Sequence, residues 1–205
     1  MPSSGSVLAV SPGFTAKQRK RREEIITAAL RAFRERGYHA VTLGDIAEKI
    51  GVRKTALYHY FPDKESILYE CHRMALEELA RLTERARDRF DTPADRLSYL
   101  ISEHVHVMTE TLLGSPSAFE VSSLSPGHQR KVIAGRDEYE RALRTTIQEG
   151  IDGGAFRPVD PKVAAFVILG AINWIARWYS PDGSSDSSEL GREYAEHLVG
   201  GIACQ

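Results

Sequence analysis

The stretch GVRKTALYHYFPDKE, residues 51–65, combines a glycine, a short amphipathic segment and a proline stop. On a helix over residues 54–61, at about 100° per residue, Ala56, Leu57 and Tyr60 point to one side. The opposite side carries four polar or aromatic residues: Lys54, Thr55, Tyr58 and His59. The pattern predicts a helix that packs on a small domain and presents a cation, hydroxyls and aromatic rings to a polar partner.

Two further helices precede this stretch. The first is predicted over residues 17–36, because apolar side chains recur at i, i+3, i+4 and i+7 from Ile26 to Phe33, and Gly37 follows as a stop. The second begins at Thr42, which forms a capping-box pattern with an acidic residue three positions later. Three short helices with a glycine turn between the last two predict a helix-turn-helix domain, whose final helix suits the major groove of DNA.

Charge is divided unevenly along the chain. Residues 1–67 hold 12 Lys and Arg against 7 Asp and Glu, whereas the remainder holds 15 against 21. A basic run over residues 17–22 leads into the first helix and suits contact with phosphates or a minor groove. A basic N-terminal third joined to an acidic remainder indicates a nucleic-acid-binding domain on a body with another task.

Beyond residue 66 the pattern stays helical. Long helices are predicted over residues 63–90, 93–113 and 126–152, with a short one at 118–123. The segment from Pro161 to Tyr179 is apolar on nearly all sides, so we expect it to be buried on several sides. A last helix is predicted over residues 189–200. The predicted fold is all-α, with about nine helices.

We divide the chain into three parts. Residues 1–15 are rich in Ser, Pro and Gly and are predicted to be a disordered extension. Residues 16–66 form the predicted helix-turn-helix domain, and residues 67–205 form a larger helical domain.

The N-terminal pattern resembles that of TetR-type transcriptional regulators. The resemblance covers residues 21–68, with Thr42, Ile46-Ala47, Gly51-Val52, the run from Leu57 to Pro62, and Lys64-Glu65. The family commonly has Ser, Gly and Thr where this chain has Arg53, Thr55 and Ala56. Since these positions lie on the DNA-reading helix, the operator sequence does not follow from the resemblance.

The resemblance implies a homodimer that places two such helices in successive major grooves of a pseudo-palindromic double-stranded DNA operator. Four positions match those that usually contact phosphates: Thr42, Tyr58, His59 and Lys64. Lys54, Thr55 and the unusual Arg53 match positions that reach bases, and Arg or Lys pairs well with guanine. The last two helices would pair with those of a second copy.

The larger domain would then bind a small-molecule inducer. Trp174 and Trp178 lie four residues apart on the apolar helix, together with Asn173 and Arg177, whose polar groups need partners if buried. Such an aromatic pair on a core helix is more often typical of packing than of a pocket. Further candidates come from the middle helices: His104, Met108, Phe119, Tyr139 and Arg144.

The C-terminal run ARWYSPDG…LGREYAEHLVGGI resembles regulators of fatty-acid, phenylacetate and steroid degradation, whose inducers are acyl-CoA thioesters. A CoA head would need basic residues near the pocket mouth, and Arg130, Lys131, Arg136 and Arg144 are candidates. The alternative is a multidrug-sensing regulator of efflux, which would favour carboxylates such as Glu103, Glu110 and Glu120.

Other functional classes fit the sequence less well. His104 and His106 diverge by about 200° on a helix and cannot share a metal ion. The sequence has no Gly-rich phosphate loop, nucleophile elbow or paired catalytic carboxylates, which argues against a small all-α enzyme and predicts no cofactor. A ligandless architectural DNA binder should have a smaller or more basic body. Two cysteines and no apolar run long enough to span a bilayer predict a soluble cytoplasmic protein.

Overall fold

The computed structural model describes residues 15–204, apart from the side chains of residues 116–119. This part of the chain holds eight α-helices: α1 Ala16–Arg36, α2 Leu43–Lys49, α3 Lys54–Leu57, α4 Lys64–Arg89, α5 Pro93–His106, α6 Pro126–Asp152, α7 Pro161–Trp178 and α8 Ser187–Gly200. The all-α prediction is confirmed. The ninth predicted element, at residues 118–123, lies in a 3₁₀ segment, Pro116–Ser123. The predicted disordered extension lies, up to residue 14, outside the described residues.

Local signals in the sequence set the ends of the first helices. Thr15 caps α1, and Gly37 ends it with a φ of 77°, a left-handed conformation that favours glycine. In α2, Thr42 and Asp45 form both hydrogen bonds of the capping box. Phe33, Ile46, Leu57 and Phe61 are among the buried side chains that join α1–α3 into one core.

Helix α4 carries the chain from this small core into the body. Asp63 caps it by accepting a 2.7 Å hydrogen bond from the backbone N–H of Ser66. Its first turn is tied to the start of α6, because the Glu65 carboxylate accepts from the Ser125 N–H at 3.0 Å and lies 2.7 Å from His128 Nδ1. The His128 ring stacks on Tyr69 at 3.7 Å. These contacts link the first turns of α4 to a helix of the body.

The predicted helix over residues 93–113 changes its winding before it ends. The α-helical part stops at His106, and a π-helical turn, Val107–Thr111, continues it. Leu113 then takes a φ of 51°, which is unusual for a branched side chain, and Gly114 takes 63°. A π turn holds an extra residue, so the side chains after His106 face directions that a regular helix would not give them.

Helices α5 and α8 approach each other closely in the body. A Cβ atom on Gly191 would lie 2.8 Å from Ser102 Oγ and 2.9 Å from its carbonyl oxygen, so only glycine allows this approach. Residues 202–204 are held against the turn after α6, since the Cys204 N–H donates to the Ala155 carbonyl and the Arg157 N–H donates to that of Ile202.

Helix α7 departs from the prediction of burial on several sides. One face is buried through Ala165, Ile168, Ile172 and Ile175. The other face exposes five large apolar side chains: Val163, Phe166, Val167, Trp174 and Trp178. A contiguous apolar surface of this kind marks an interaction site. Across residues 15–204, no helix combines the length and apolarity that crossing a membrane requires.

Candidate DNA-binding surface and ligand cavity

The turn between α2 and α3 positions the predicted reading helix. Gly51 has a φ of 66°, and the Val52 N–H donates to the Ala47 carbonyl at 3.0 Å, which closes the turn. Leu57 is fully buried and anchors α3 on α1 and α2. The helix is shorter than predicted, since its α-helical part ends at Leu57 and a tighter turn leads to Phe61.

Five of the predicted contact residues share one exposed surface around α3: Arg53, Lys54, Thr55, Tyr58 and His59. Tyr58 is 49% exposed, and Lys54 Nζ lies 6.0 Å from the centre of its ring. Within the described residues, neither Arg53 nor Lys54 is paired with a carboxylate. The surface therefore offers two cations, a hydroxyl and aromatic groups to a ligand outside the chain.

Thr42 and Lys64 both make hydrogen bonds within the protein. The Thr42 hydroxyl donates to Asp45 Oδ2 at 2.6 Å, and its backbone N–H donates to the same oxygen at 2.7 Å. Lys64 Nζ donates to the Tyr38 and Val41 carbonyls at 2.8 Å each and lies 4.2 Å from the Tyr38 ring centre. Lys64 thus holds the loop between α1 and α2, and contact of either residue with phosphate stays a prediction.

A hydrogen bond from the Thr42 hydroxyl, then one from Arg36 and one from the Thr42 backbone N–H, hold the pKa of the Asp45 carboxyl well below its usual range. Arg22, in the basic run, also turns inward. Its guanidinium donates to the Tyr60 carbonyl at 2.7 Å and lies 3.2 Å from Glu70. Lys17 and Lys20 remain exposed at the start of α1. Within this run, Arg22 therefore makes internal contacts, whereas Lys17 and Lys20 face solvent.

A cavity of about 150 Å³ lies in the body between α4, α5, the π turn, α6 and α7. Four predicted ligand-binding residues line it: His104, Met108, Tyr139 and Asn173. Other lining residues include His72 and Leu76 of α4 and Leu169 of α7, and Arg136 lies there as well. The predicted residue Phe119 lies outside the described side chains.

Four further predicted ligand-binding residues do not line this cavity. Trp174 is 63% and Trp178 45% exposed, and Arg177 is exposed with them on the outer face of α7. Arg144 lies outside the cavity and pairs with Glu140 at 3.7 Å. One step of about 100° separates Asn173, which faces inward, from Trp174. An all-round apolar helix gives no signal in its sequence for which face is inward.

The cavity wall contains two histidines with unsatisfied ring nitrogens. Within the described part of the chain, His72 Nε2 and His104 Nδ1 have no hydrogen-bond partner. Burial lowers the pKa of His104 to about 3. Burial, and then the nearby charge of Arg136, lowers the pKa of His72 to about 4. Both rings are therefore neutral near pH 7.

His72 was missed because it continues an apolar stripe of α4 that includes Ala75 and Leu79. A single histidine in such a stripe is typical of core packing. The available signal was the pair: two histidines on separate amphipathic helices, each at an inward position. Only the packing of α4 against α5 shows that they reach one space.

A second, more open groove of about 450 Å³ lies between α1, α4 and α5. Four of its residues are acidic: Glu23, Glu78, Glu103 and Glu110. Arg85 and His106 are its basic members, and Val107 borders both this groove and the cavity. Over residues 15–204, no group of three or more His, Cys, Asp or Glu is placed to hold a metal ion.

Comparison with known proteins agrees with both halves of this architecture. The family model described as "Bacterial regulatory proteins, tetR family" matches residues 25–71, and "Tetracyclin repressor-like, C-terminal domain" matches residues 90–202. The chain is 28% identical to the HTH-type transcriptional repressor KstR2 of Mycolicibacterium smegmatis, over 94% of this chain and 96% of that relative.

Two solved structures share the fold. The TetR family regulator PfmR from Thermus thermophilus has a TM-score of 0.77 and 34% identity, covering 85% of this chain and 96% of PfmR. AibR, solved with isovaleryl coenzyme A and operator DNA, has a TM-score of 0.75 and 25% identity, covering 89% of this chain and 98% of AibR.

Proposed function

Because this chain belongs to the TetR family of bacterial regulatory proteins, we propose that it is a homodimeric repressor released from its operator by an acyl-CoA thioester. It is a DNA-binding transcriptional regulator and not an enzyme. The observation that carries the proposal is a cavity in the body, lined in part by α4, the helix that begins at the helix-turn-helix domain. We place its action in the cytoplasm, where its DNA target lies.

The exposed face of α7 supports the dimer. Five large apolar side chains lie on it, and Gly170 between them has no atom within 4 Å of where a Cβ would stand. A glycine at the centre of an apolar helix face lets a partner helix approach closely. We therefore assign this face, with α8 beside it, to contact with a second copy of the chain.

The base-reading role falls to the exposed surface around α3. Arg53, Lys54 and Thr55 stand at the start of that helix, unpaired with carboxylates among the described residues and open to solvent. An arginine or lysine at such a position suits the O6 and N7 acceptors of guanine. Tyr58 and His59 are exposed beside them and suit phosphate contact.

The inducer class rests on the cavity and on the relatives. AibR was solved with isovaleryl coenzyme A, a branched short-chain thioester. A cavity of about 150 Å³ with Leu76, Met108 and Leu169 in its wall suits a short acyl chain. Arg136 lines the same cavity and is exposed, so it can meet a polar or anionic group at the mouth. Arg130 and Lys131 are exposed nearby on α6.

A thermal-shift screen tests the inducer class. Short-chain acyl-CoA thioesters should raise the unfolding temperature of the purified dimer in proportion to ligand concentration, because they bind the folded state alone. Free CoA, which lacks the acyl group, is the control. Stabilisation by cationic drug-like compounds, with none by any thioester, would contradict the proposal.

That second outcome corresponds to a multidrug-sensing regulator, which one observation favours. The open groove between α1 and α5 is lined by four glutamates and borders the cavity at Val107. Such a groove attracts cations and repels the phosphates of CoA. Replacing Glu103 and Glu110 by Gln should abolish cation binding under that alternative and leave thioester binding intact under ours.

A further inference from the structure

The acyl-binding cavity is not uniformly apolar. We propose, on the basis of the function proposed above, that the inducer's acyl group carries a hydroxyl or carbonyl oxygen, which hydrogen-bonds to His72 and His104 inside the cavity. The proposal thereby narrows the inducer from acyl thioesters in general to oxygen-substituted ones.

The two rings are fixed and buried. His104 is 4% exposed and packs edge-on against Tyr139, at a centroid distance of 5.1 Å and an interplanar angle of 85°. His72 is 5% exposed on α4. Each keeps one ring nitrogen without a partner among the described residues. A buried polar atom left unsatisfied costs stability comparable to a lost hydrogen bond, so these nitrogens call for a ligand group.

Tyr139 adds a third polar group to the same wall. Its hydroxyl lies 3.5 Å from the Leu100 carbonyl, the outer limit for a hydrogen bond, so that contact is weak. Asn173, half-buried on α7, also lines the cavity. Apart from Arg136, the rest of the wall is apolar, including Leu79, Val107 and Leu112.

The chemistry of these groups selects a neutral oxygen. A neutral imidazole offers one donor and one acceptor, which match a hydroxyl, or a carbonyl through the donor alone. Both rings stay neutral near pH 7, so they do not supply the positive charge that a buried carboxylate needs. Arg136 is the cation of the cavity, but it is exposed, whereas the histidines are buried. We therefore place the oxygen substituent deep in the cavity and charged groups near Arg136.

The volume limits the acyl group to a short one. A cavity of about 150 Å³ holds a molecule the size of benzene, or roughly six non-hydrogen atoms. An acyl chain of about four or five carbons, with one oxygen on it, fills that space. A site built to hydrogen-bond an oxygen discriminates strongly against an analogue without it, because the site's polar groups then stay unpaired.

The test compares thioesters that differ only in that oxygen. Calorimetric titration of the full-length dimer would use butyryl-CoA and valeryl-CoA against the same chains with a hydroxyl at C2, C3 or C4 or an oxo group at C3. We expect at least one substituted thioester to bind about tenfold or more tightly than its parent. Equal or tighter binding of the parent chains across the whole panel overturns the inference while leaving the proposed function standing.

Variants assign the preference to the histidines. His104→Phe and His72→Leu should each reduce the preference at least about fivefold, whereas His197→Phe, at an exposed histidine of α8 outside the cavity, should leave it unchanged. Because the histidine variants are buried, each must first show wild-type operator binding and circular dichroism. A preference retained in both folded histidine variants overturns the assignment.

A parallel series separates this inference from the CoA proposal. The same acyl groups would be tested as N-acetylcysteamine thioesters, which lack the nucleotide. Preference for the oxygen-bearing member in this series, with no binding of any CoA thioester, supports the polar acyl site and contradicts a CoA inducer. If neither series shows a preference for the oxygen-bearing thioester over its parent, the polar acyl site is contradicted.

Discussion

For some basic residues, the sequence does not show whether the side chain contacts DNA or other parts of the protein. Lys64 matches a phosphate-contacting position in the family pattern, yet its ammonium donates to carbonyls of the loop after α1. Arg22 belongs to a basic run, yet it lies against Phe61 and bonds the Tyr60 carbonyl. Periodicity identified which side chains are buried, but the partners of long cationic side chains depend on the folded loop around them.

We expect Lys64→Met to destabilise the protein by about 2 kcal/mol, because the carbonyls of Tyr38 and Val41 lose a charged donor. Thermal unfolding measures this loss. Lys17→Met, at an exposed lysine of α1, serves as the matched control and should change stability by less than about 0.5 kcal/mol. An unchanged unfolding temperature for Lys64→Met would contradict the stabilising role of Lys64 and leave only the predicted phosphate contact.

The two cavity histidines should make stability depend on pH. Their folded pKa values, about 4 for His72 and about 3 for His104, lie below the ordinary 6.5. Below pH 6.5 the unfolded chain binds protons that the folded chain does not, so stability falls as pH decreases toward about 4. Each histidine contributes up to about 1.4 kcal/mol per pH unit in that window.

Denaturant unfolding between pH 7 and pH 4.5 measures this effect. The slope of stability against pH should be shallower in His104→Phe than in the wild type, since one of the two buried groups is then gone. His197→Phe, at an exposed histidine of α8, should keep the wild-type slope. A wild-type slope in His104→Phe would contradict burial of a neutral ring.

At the scale of elements, helix starts and stops were the most predictable feature. Thr42 caps α2 and Gly37 ends α1 as predicted, and α4 and α5 begin within one residue of their predicted starts. The π turn after His106 was not predictable, because its sequence continues the apolar pattern of α5. The inward face of α7 was also not predictable, because the helix is apolar on the side that packs and on the side that faces outward.

Helix α3 carries the prediction on sequence specificity. Arg53→Ala and Lys54→Ala should each weaken binding to the preferred operator by about 1–3 kcal/mol and leave binding to scrambled DNA nearly unchanged. Fluorescence anisotropy with both DNAs measures the difference. Lys20→Ala, at an exposed lysine of α1, should weaken both DNAs alike. Equal losses for Arg53→Ala would remove it from the base-reading set.

At the scale of the molecule, the outer face of α7 predicts the assembly. Trp174→Glu should convert the dimer to a monomer in light scattering after size exclusion, because a charge would be buried against an apolar partner. Ile133→Glu, at an apolar side chain of α6 that is 48% exposed outside this face, should leave the dimer intact. A dimeric Trp174→Glu variant would place the interface elsewhere.

Two long helices, α4 and α6, connect the helix-turn-helix domain, the cavity and the outer face of α7. Helix α4 begins beside the helix-turn-helix domain, where Glu65 contacts His128. It contributes His72 and Leu76 to the cavity. Helix α6 supplies Arg136 and Tyr139 on the other side. A ligand in the cavity therefore contacts both helices that meet at the Glu65–His128 pair. Through these helices, inducer binding can change the position of the helix-turn-helix domain.

The most direct measurement is the affinity of the dimer for an operator selected from random DNA, titrated by fluorescence anisotropy with and without acyl-CoA thioesters. The account predicts an inverted repeat as the selected sequence, and at least about a tenfold loss of affinity at saturating concentrations of a short-chain thioester. Unchanged operator affinity with a thioester bound in the cavity would contradict it.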